Sequence, residues 1–440
     1  MLDFEKIYGD KLISVEEALN KINPGDEIVS ALAGAEPSSI LEKLHTIAPR
    51  VKDITIVTCL PMRDYEYFIN PAYKENFKME GWFYSTGMRK VHKYGHISYI
   101  PNHLHLAAAK RLAYRKPDVF IGTAAPMDRN GYLSLSLSAT YEREMIDNAG
   151  ITIIEVNKNM PRTFGDTIVH ITDIDYIVES TNPVPELPYL EPTDKDRQIG
   201  KHIADLIDDG STIQLGIGRI PNAVTVELMH KRDLGVHTEM LTDGMVDLFY
   251  AGVITGRKKT LMPGKMVATF ALGSRKLYDF IDNNPAVALM KGSWTNNPYV
   301  IGKNYKMVSI NTTLEVDLTG QCCSESIGHR QFSGTGGQAD TAKGAQYSEG
   351  GKSIIALYST AEVKSEDGNG KKTISKIVTT LTPGAAVSLS RNDVDYVVTE
   401  YGVAELRGAP IRERVKRLIK LAHPEFREKL EWEAMKLMIW

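Results

Sequence analysis

The chain has 440 residues, of which 42% are apolar and 24% charged, and a formal net charge of −3. That length exceeds one ordinary core and implies two or three globular units, while dispersed lysines and arginines give nucleic-acid binding no electrostatic footprint. The three cysteines, Cys59, Cys322 and Cys323, show no Cys-x-x-Cys spacing, which excludes a disulfide scaffold and suits a reducing compartment.

The opening Met-Leu-Asp-Phe-Glu-Lys lacks a basic segment followed by an apolar run. No stretch nears the roughly 18 apolar residues of a membrane span, so no membrane role and a cytoplasmic location are expected. Ser14 to Lys21 reads as a helix, Pro24-Gly25-Asp26 as a turn and Ile28 to Ala33 as a buried strand, with a helix starting from Pro37. Asp53 to Val57 and Ile151 to Val156 read as further strands. Pro183, Pro185, Pro188 and Pro192 disfavour regular structure and mark a linker. The order then repeats: a helix through Ile203 to Ile207, a turn at Asp208-Asp209-Gly210, a strand over Ser211 to Leu215 and a helix near Pro221. Asp173-Ile174-Asp175-Tyr176-Ile177-Val178 returns as Asp393-Val394-Asp395-Tyr396-Val397-Val398. Two echoes in one order imply a duplication. The expected fold is α/β: two related open α/β domains, 1–190 and 191–440, with mostly parallel sheets and helices on both faces. Ligands in such sheets bind beyond the carboxyl ends of the strands. Ile411 to Met438 is helical in pattern, interrupted by Pro424.

Gln214-Leu215-Gly216-Ile217-Gly218-Arg219-Ile220-Pro221 follows a strand and opens a helix, where bare backbone N–H groups can face an anion or a carbonyl oxygen. Pro221 stands where a dinucleotide fingerprint needs its third glycine, so the motif is either a ligand loop or a tight turn without ligand. Ser333-Gly334-Thr335-Gly336-Gly337-Gln338 is a denser glycine cluster that lets a ligand lie against backbone. Gly235 to Gly244 begins like a strand and ends in an Asp-Gly turn, which puts Glu239 near a strand's carboxyl end. On position alone a carboxylate there is more often a solvated or capping residue than a catalytic one. His92 and His96, and His103 and His105, form pairs without zinc-motif context, so no metal is expected.

Taken together these segments resemble the class I CoA-transferases, specifically the acetyl-CoA hydrolase/transferase group that includes 4-hydroxybutyrate and butyryl-CoA:acetate CoA-transferases. The resemblance runs through nearly the whole chain. It is carried by Glu75-Asn76-Phe77 with Glu80-Gly81-Trp82-Phe83, Pro126 to Tyr132, Gly165-Asp166-Thr167, Gln214 to Pro221, His237-Thr238-Glu239-Met240, Gly320-Gln321, Ser333 to Asp340, and Thr399-Glu400-Tyr401-Gly402. It implies that Glu239 is a catalytic nucleophile forming a glutamyl-CoA thioester in a ping-pong exchange of CoA between butyryl-CoA or 4-hydroxybutyryl-CoA and a carboxylate such as acetate. It further implies that Gln214, Leu215, Gly216, Ile217, Gly218, Gly336, Gly337 and Gln338 bind CoA or supply oxyanion donors, that Asn311 contributes to CoA binding, and that the protein is a homodimer. CoA is then a substrate, with no permanently bound cofactor. A CoA-ester hydrolase and a non-catalytic CoA-binding protein are the alternatives. One departure concerns Ala31-Leu32-Ala33-Gly34-Ala35-Glu36-Pro37: the 4-hydroxybutyrate branch has a histidine before Ala-Glu-Pro, and its replacement by apolar residues favours an unsubstituted acyl group if the position lines the acyl pocket.

Overall fold

The structure is a computed structural model that describes residues 3–365 and 370–439; the first two residues of the opening hexapeptide lie outside them. It has two compact units. The chain up to Pro188, with Glu239–Asp243 and Lys265–Asn296, forms the first; Tyr189–Thr238, Gly244–Gly264 and the chain from Asn297 onward form the second. These units differ from a division of the chain at residue 190, because Glu239, assigned by sequence to the 191–440 domain, belongs to the first unit. The cause is strand pairing: Met240–Leu241 pairs in parallel with Phe270–Ala271, and Ala271 N and Leu137 O are hydrogen-bonded at 2.8 Å.

In the first unit a seven-stranded sheet runs in the order Ile97–Tyr99, Phe77–Gly81, Ile54–Thr58, Glu27–Ser30, Val119–Ala124, Ile151–Asn157, Tyr176–Ser180. Every pairing in it is parallel. Its central strands are buried along their lengths, as β-branched runs such as Ile54-Thr55-Ile56-Val57 require when helices cover both faces. Ile28, Ile56, Phe68 and Phe77 belong to one apolar core. The expected strand over Ile28 to Ala33 ends at Ser30, since Ala33 takes a left-handed φ of 46° and opens a tight Ala33–Ala35 turn before the Ser38–Lys43 helix.

The second unit holds a six-stranded sheet in the order Gly235–Val236, Thr212–Leu215, Met307–Thr312, Lys352–Ala356, Tyr396–Thr399, Gly402–Glu405. Only its last pair is antiparallel. The two sequence echoes occupy equivalent places. Gly25 and Gly210 enter their strands with φ of 82° and 75°, and Asp175 and Asp395 each accept a backbone N–H from the neighbouring strand, Thr152 N at 2.8 Å and Ser353 N at 3.0 Å. The helical run from Ile411 is broken just before Pro424, as expected, into Ile411–Leu421 and Pro424–Lys436, with Pro424 at the first position of the second helix. Among the described residues no helix is long and apolar enough to cross a membrane.

The first sheet is braced by one cation. Arg111, 5% exposed, donates to both carboxylate oxygens of the buried Glu27 and, at 2.7 Å, to Glu80. Removing Arg111 leaves the Glu27 carboxylate, 1% exposed, with the longer 3.7 Å pair to Arg115. Arg111→Ala is expected to lower unfolding free energy by about 3–5 kcal/mol, read by urea denaturation.

Candidate functional site

The chain passes from the second unit to the first at the bond between Thr238 and Glu239. Glu239 therefore precedes the Met240–Leu241 strand instead of ending one, and Asp243-Gly244 opens the Asp243–Tyr250 helix rather than a turn. Its backbone oxygen accepts N–H donors from Thr269 at 2.9 Å and Phe270 at 3.2 Å. Its carboxylate Oε2 accepts from Asn296 Nδ2 at 2.9 Å. Glu239 and Asn296 thus form a hydrogen-bonded pair within one unit.

Asn296, 1% exposed, follows the Gly292–Thr295 helical turn. That turn is fixed from below. Gly292 N donates to Thr140 O, and a Cβ on Gly292 would stand 2.6 Å from the same oxygen. Lys291 N donates to Asp166 Oδ2 at 2.8 Å, and Ser293 Oγ to Glu144 at 2.6 Å. Gly165, at φ 111°, lies where a Cβ would approach Leu289 O to 2.3 Å. The Gly165-Asp166 motif thus holds the segment that leads to Asn296. Sequence reasoning missed Asn296, because a buried amide has no periodicity or spacing to betray it; the Asn296-Asn297-Pro298 run was its sole trace.

The first unit also holds buried carboxyls. Glu142 is buried, with Oε1 accepting Leu32 N at 2.9 Å and Oε2 accepting Tyr141 N at 3.0 Å. The Cys59 thiol lies within electrostatic reach of Glu239 and Glu142, and burial, reinforced by both charges, holds it well above the ordinary thiol range. Trp82 packs on Tyr141 with ring centroids 4.7 Å apart and helps to wall a cleft of about 320 Å³ with Tyr99, Lys110, Arg111 and Tyr114. Glu36 is buried between two turns, its Oε2 accepting Met62 N at 3.1 Å. Burial, partly offset by the Tyr65 hydroxyl and the Met62 amide, pushes its carboxyl up to about 7.

In the second unit several of the sequence-selected residues meet. Gln214 Oε1 accepts from Ile310 N at 3.1 Å, Ser309 Oγ at 3.3 Å and Asn311 Nδ2 at 3.4 Å. Asn311 Nδ2 also reaches Thr341 Oγ1 at 3.1 Å, and the Thr341 hydroxyl donates to the backbone oxygen of Gln338 at 3.3 Å. Gln338 Nε2 donates to Thr312 O, while its buried Oε1 has no partner. Gln214, Asn311 and Gln338 are therefore one network.

Gly216 and Gly218 face open space, and Gly218, at φ 113°, caps the Arg219–Glu227 helix. Gly336, at φ 49°, and Gly337 lead into the Gln338–Tyr347 helix. Both helices thus begin on glycine backbone, a setting that leaves first-turn N–H groups open to an anion. Leu215 is buried in the sheet and offers a site nothing but its backbone, whereas Ile217 is 46% exposed between the two glycines. Two of the paired histidines have local roles: His96 Nε2 pairs with Phe68 O, and His92 Nδ1 with the Tyr84 hydroxyl.

Against this geometry stand the comparisons with known proteins. Residues 2–188 match the acetyl-CoA hydrolase/transferase N-terminal domain, and residues 273–434 match the C-terminal domain of the same family. The chain is 44% identical over 430 residues to 4-hydroxybutyrate coenzyme A transferase of Clostridium kluyveri, covering 98% of each. It is 42% identical to succinyl-CoA:cyclohexane-1-carboxylate CoA transferase of Geobacter metallireducens, covering 99% of this chain and 97% of that one. The crystal structure of RipA from Yersinia pestis superposes with a TM-score of 0.93 at 34% identity, over all of both chains. The chain belongs to the acetyl-CoA hydrolase/transferase family.

The Glu36 carboxyl yields a test of the region's electrostatics. Its folded pKa of about 7 lies above the ordinary 4.5, so the folded state holds a proton that the unfolded state releases between these values. The group's contribution is complete below pH 4.5 and is lost as pH rises through 7. Wild type is expected to lose up to about 3 kcal/mol more stability than Glu36→Gln between pH 5 and pH 8, measured as the difference between urea denaturation curves.

Proposed function

We propose that the protein is a CoA-transferase that exchanges CoA between a short-chain acyl-CoA and a free carboxylate, with Glu239 as the nucleophile. The observation that carries this reading is the Asn296 Nδ2 to Glu239 Oε2 hydrogen bond of 2.9 Å in a chain of this family. An amide donor on Oε2 orients the carboxylate as a nucleophile, and the same amide can follow the charge that develops on the acyl intermediate.

Glu239 attacks the thioester carbonyl of the donor, giving a mixed anhydride and CoA thiolate. The thiolate attacks the glutamyl carbonyl, the donor acid leaves as a carboxylate, and glutamyl-CoA thioester remains. An incoming carboxylate attacks that thioester to form a new anhydride, and the returning thiolate attacks its acyl carbonyl. The new acyl-CoA forms and the Glu239 carboxylate is regenerated. Each step exchanges one activated acyl bond for another, so no external energy source enters. Gln214, Asn311 and Gln338 and the glycine backbones at 216, 218, 336 and 337 are taken to bind CoA. Their support is the shared network in the second unit and the open glycine starts of two helices.

The acids exchanged are read as unsubstituted and short, butyrate with acetate foremost, because the Ala31 to Ala35 stretch has no polar side chain; 4-hydroxybutyrate is the hydroxylated counterpart. A cytoplasmic location accords with three free, buried cysteines, and a homodimer is the assembly that the family resemblance implies.

Incubation with butyryl-CoA, followed by borohydride reduction and mass analysis of the Glu239 peptide, tests the covalent step. An unmodified peptide in protein that is turning over would remove Glu239 from the mechanism. Glu239→Ala is expected to lower acetate-dependent transfer by at least about 10³-fold, the scale of a lost nucleophile. Asn296→Ala is expected to lower kcat by about 10²-fold, as for one lost oxyanion donor. CoA release at equal rates with and without acetate would instead identify a hydrolase.

A further inference from the structure

We propose that Glu142 is a positioning residue that sets the acyl-chain selectivity of the reaction at Glu239, by clamping the Leu32–Ala35 turn against the strands that carry Glu239. The proposal deepens the transferase reading and rests on it.

Glu142 is a buried carboxylate surrounded by donors rather than cations. Its two oxygens take the backbone N–H of Leu32 at 2.9 Å and of Tyr141 at 3.0 Å. Burial raises its pKa, while those amides and the Ser138 hydroxyl act in the opposite direction. A charged group without a counter-ion is costly in such a place, so its contribution lies in the shape it imposes on the backbone.

That shape is the turn. Leu32 leads into Ala33 at φ 46°, a left-handed conformation that a residue with a Cβ adopts only when its surroundings hold it there. Ala33 N donates to Cys59 O at 3.2 Å, and the Tyr141 hydroxyl donates to Ser30 O at 2.8 Å. The turn is thus tied at three points, two of them on the Tyr141-Glu142 pair.

The turn also abuts the nucleophile's own ladder. A Cβ on Gly34 would stand 2.9 Å from Leu137 Cδ1 and 3.7 Å from Leu272 Cδ1. Leu137 O accepts Ala271 N, and Leu272 N donates to Leu241 O, two residues beyond Glu239. A shift of the turn therefore alters the wall beside the strand that Glu239 begins. The side chains of Ala31, Leu32, Ala33 and Ala35 are apolar and buried, so an acyl chain packed against this turn would meet alkyl groups and a hydroxyl on it would find no partner there.

The experiment measures kcat/KM with acetyl-, butyryl- and hexanoyl-CoA, each with and without an acceptor acid, in wild type, Glu142→Gln and Ala33→Gly. Glutamine presents one acceptor and one donor to two N–H groups, so one clamp is lost; glycine removes the left-handed cost and frees the turn. Both variants are expected to change the hexanoyl-to-butyryl ratio by about tenfold, the scale of one altered methylene contact. Both are also expected to raise the fraction of thioester lost to water, while CoA protects the fold against heat as in wild type. A uniform loss across the three chain lengths, or profiles that match wild type, would overturn the proposal. Should Glu142→Gln fail to fold, Ala33→Gly alone decides. A wild type without acceptor-dependent transfer overturns the functional reading itself, and this proposal with it.

Discussion

Two residues of parallel pairing, Met240 and Leu241 against Phe270 and Ala271, bring Glu239 into the first unit. The pairing is short, and its strength comes from what lies on either side. Glu239 O takes two N–H donors, Leu241 O takes Leu272 N, and Leu137 O takes Ala271 N. Glu239, at the start of this ladder, has its backbone oxygen fixed by two donors and its Oε2 held by the Asn296 amide. For the proposed nucleophile, placement is what the structure supplies: its backbone oxygen and its Oε2 are held by backbone and amide N–H donors.

The chain order of the fold was legible because the two periodic signals that specify it were strong. Continuous β-branched runs mark the strands buried on both faces, and Gly25 and Gly210 mark equivalent turns with positive φ. The repeated Asp-x-Asp-Tyr segments marked equivalent strands for a reason that the structure supplies: the second aspartate of each accepts a neighbouring strand's N–H, so the residue type is dictated by the pairing. The excursions of Glu239–Asp243 and Lys265–Asn296 were not legible. Two-residue strands have no period to read, and their partners lie far off in sequence, so local pattern points to the wrong unit.

The candidate site divides in the same way. Gln214, Gly216, Gly218, Gly336, Gly337 and Gln338 stood out because glycine-rich strand-to-helix turns have a physical signature in sequence, and the structure brings Gln214, Asn311 and Gln338 into one network. Leu215, in contrast, points into the sheet. Asn296 and Glu142 had no signature. Their importance follows from which backbone groups they face, and that is a property of the tertiary structure.

A common device links these particulars. Loops at the carboxyl end of a parallel sheet must leave room for ligand, so they cannot be anchored by apolar packing on every side, yet their buried N–H groups need acceptors. The structure meets this need with carboxylates. Glu142 takes Leu32 N and Tyr141 N, Glu155 takes Ser39 N at 2.9 Å, and Glu36 takes Met62 N. In the second unit Glu400, from the Thr399-Glu400-Tyr401-Gly402 motif, takes Ser359 N at 2.9 Å and is paired with Lys195 at 3.2 Å. A hydrogen bond from backbone N–H to a carboxyl oxygen is directional, so a segment held in this way has one position where an apolar contact would allow several. The cost is burial of acids, visible in the raised pKa of Glu36, Glu142 and Glu155. The carboxyl of Glu400 lies below its ordinary range because, against burial, the Ser359 backbone and hydroxyl donors, its own backbone N–H and the Lys195 ammonium all favour its charged form. At Glu142 the donors that offset burial are backbone amides and a hydroxyl, so a change of one atom there, carboxylate oxygen to amide nitrogen, has the most to alter.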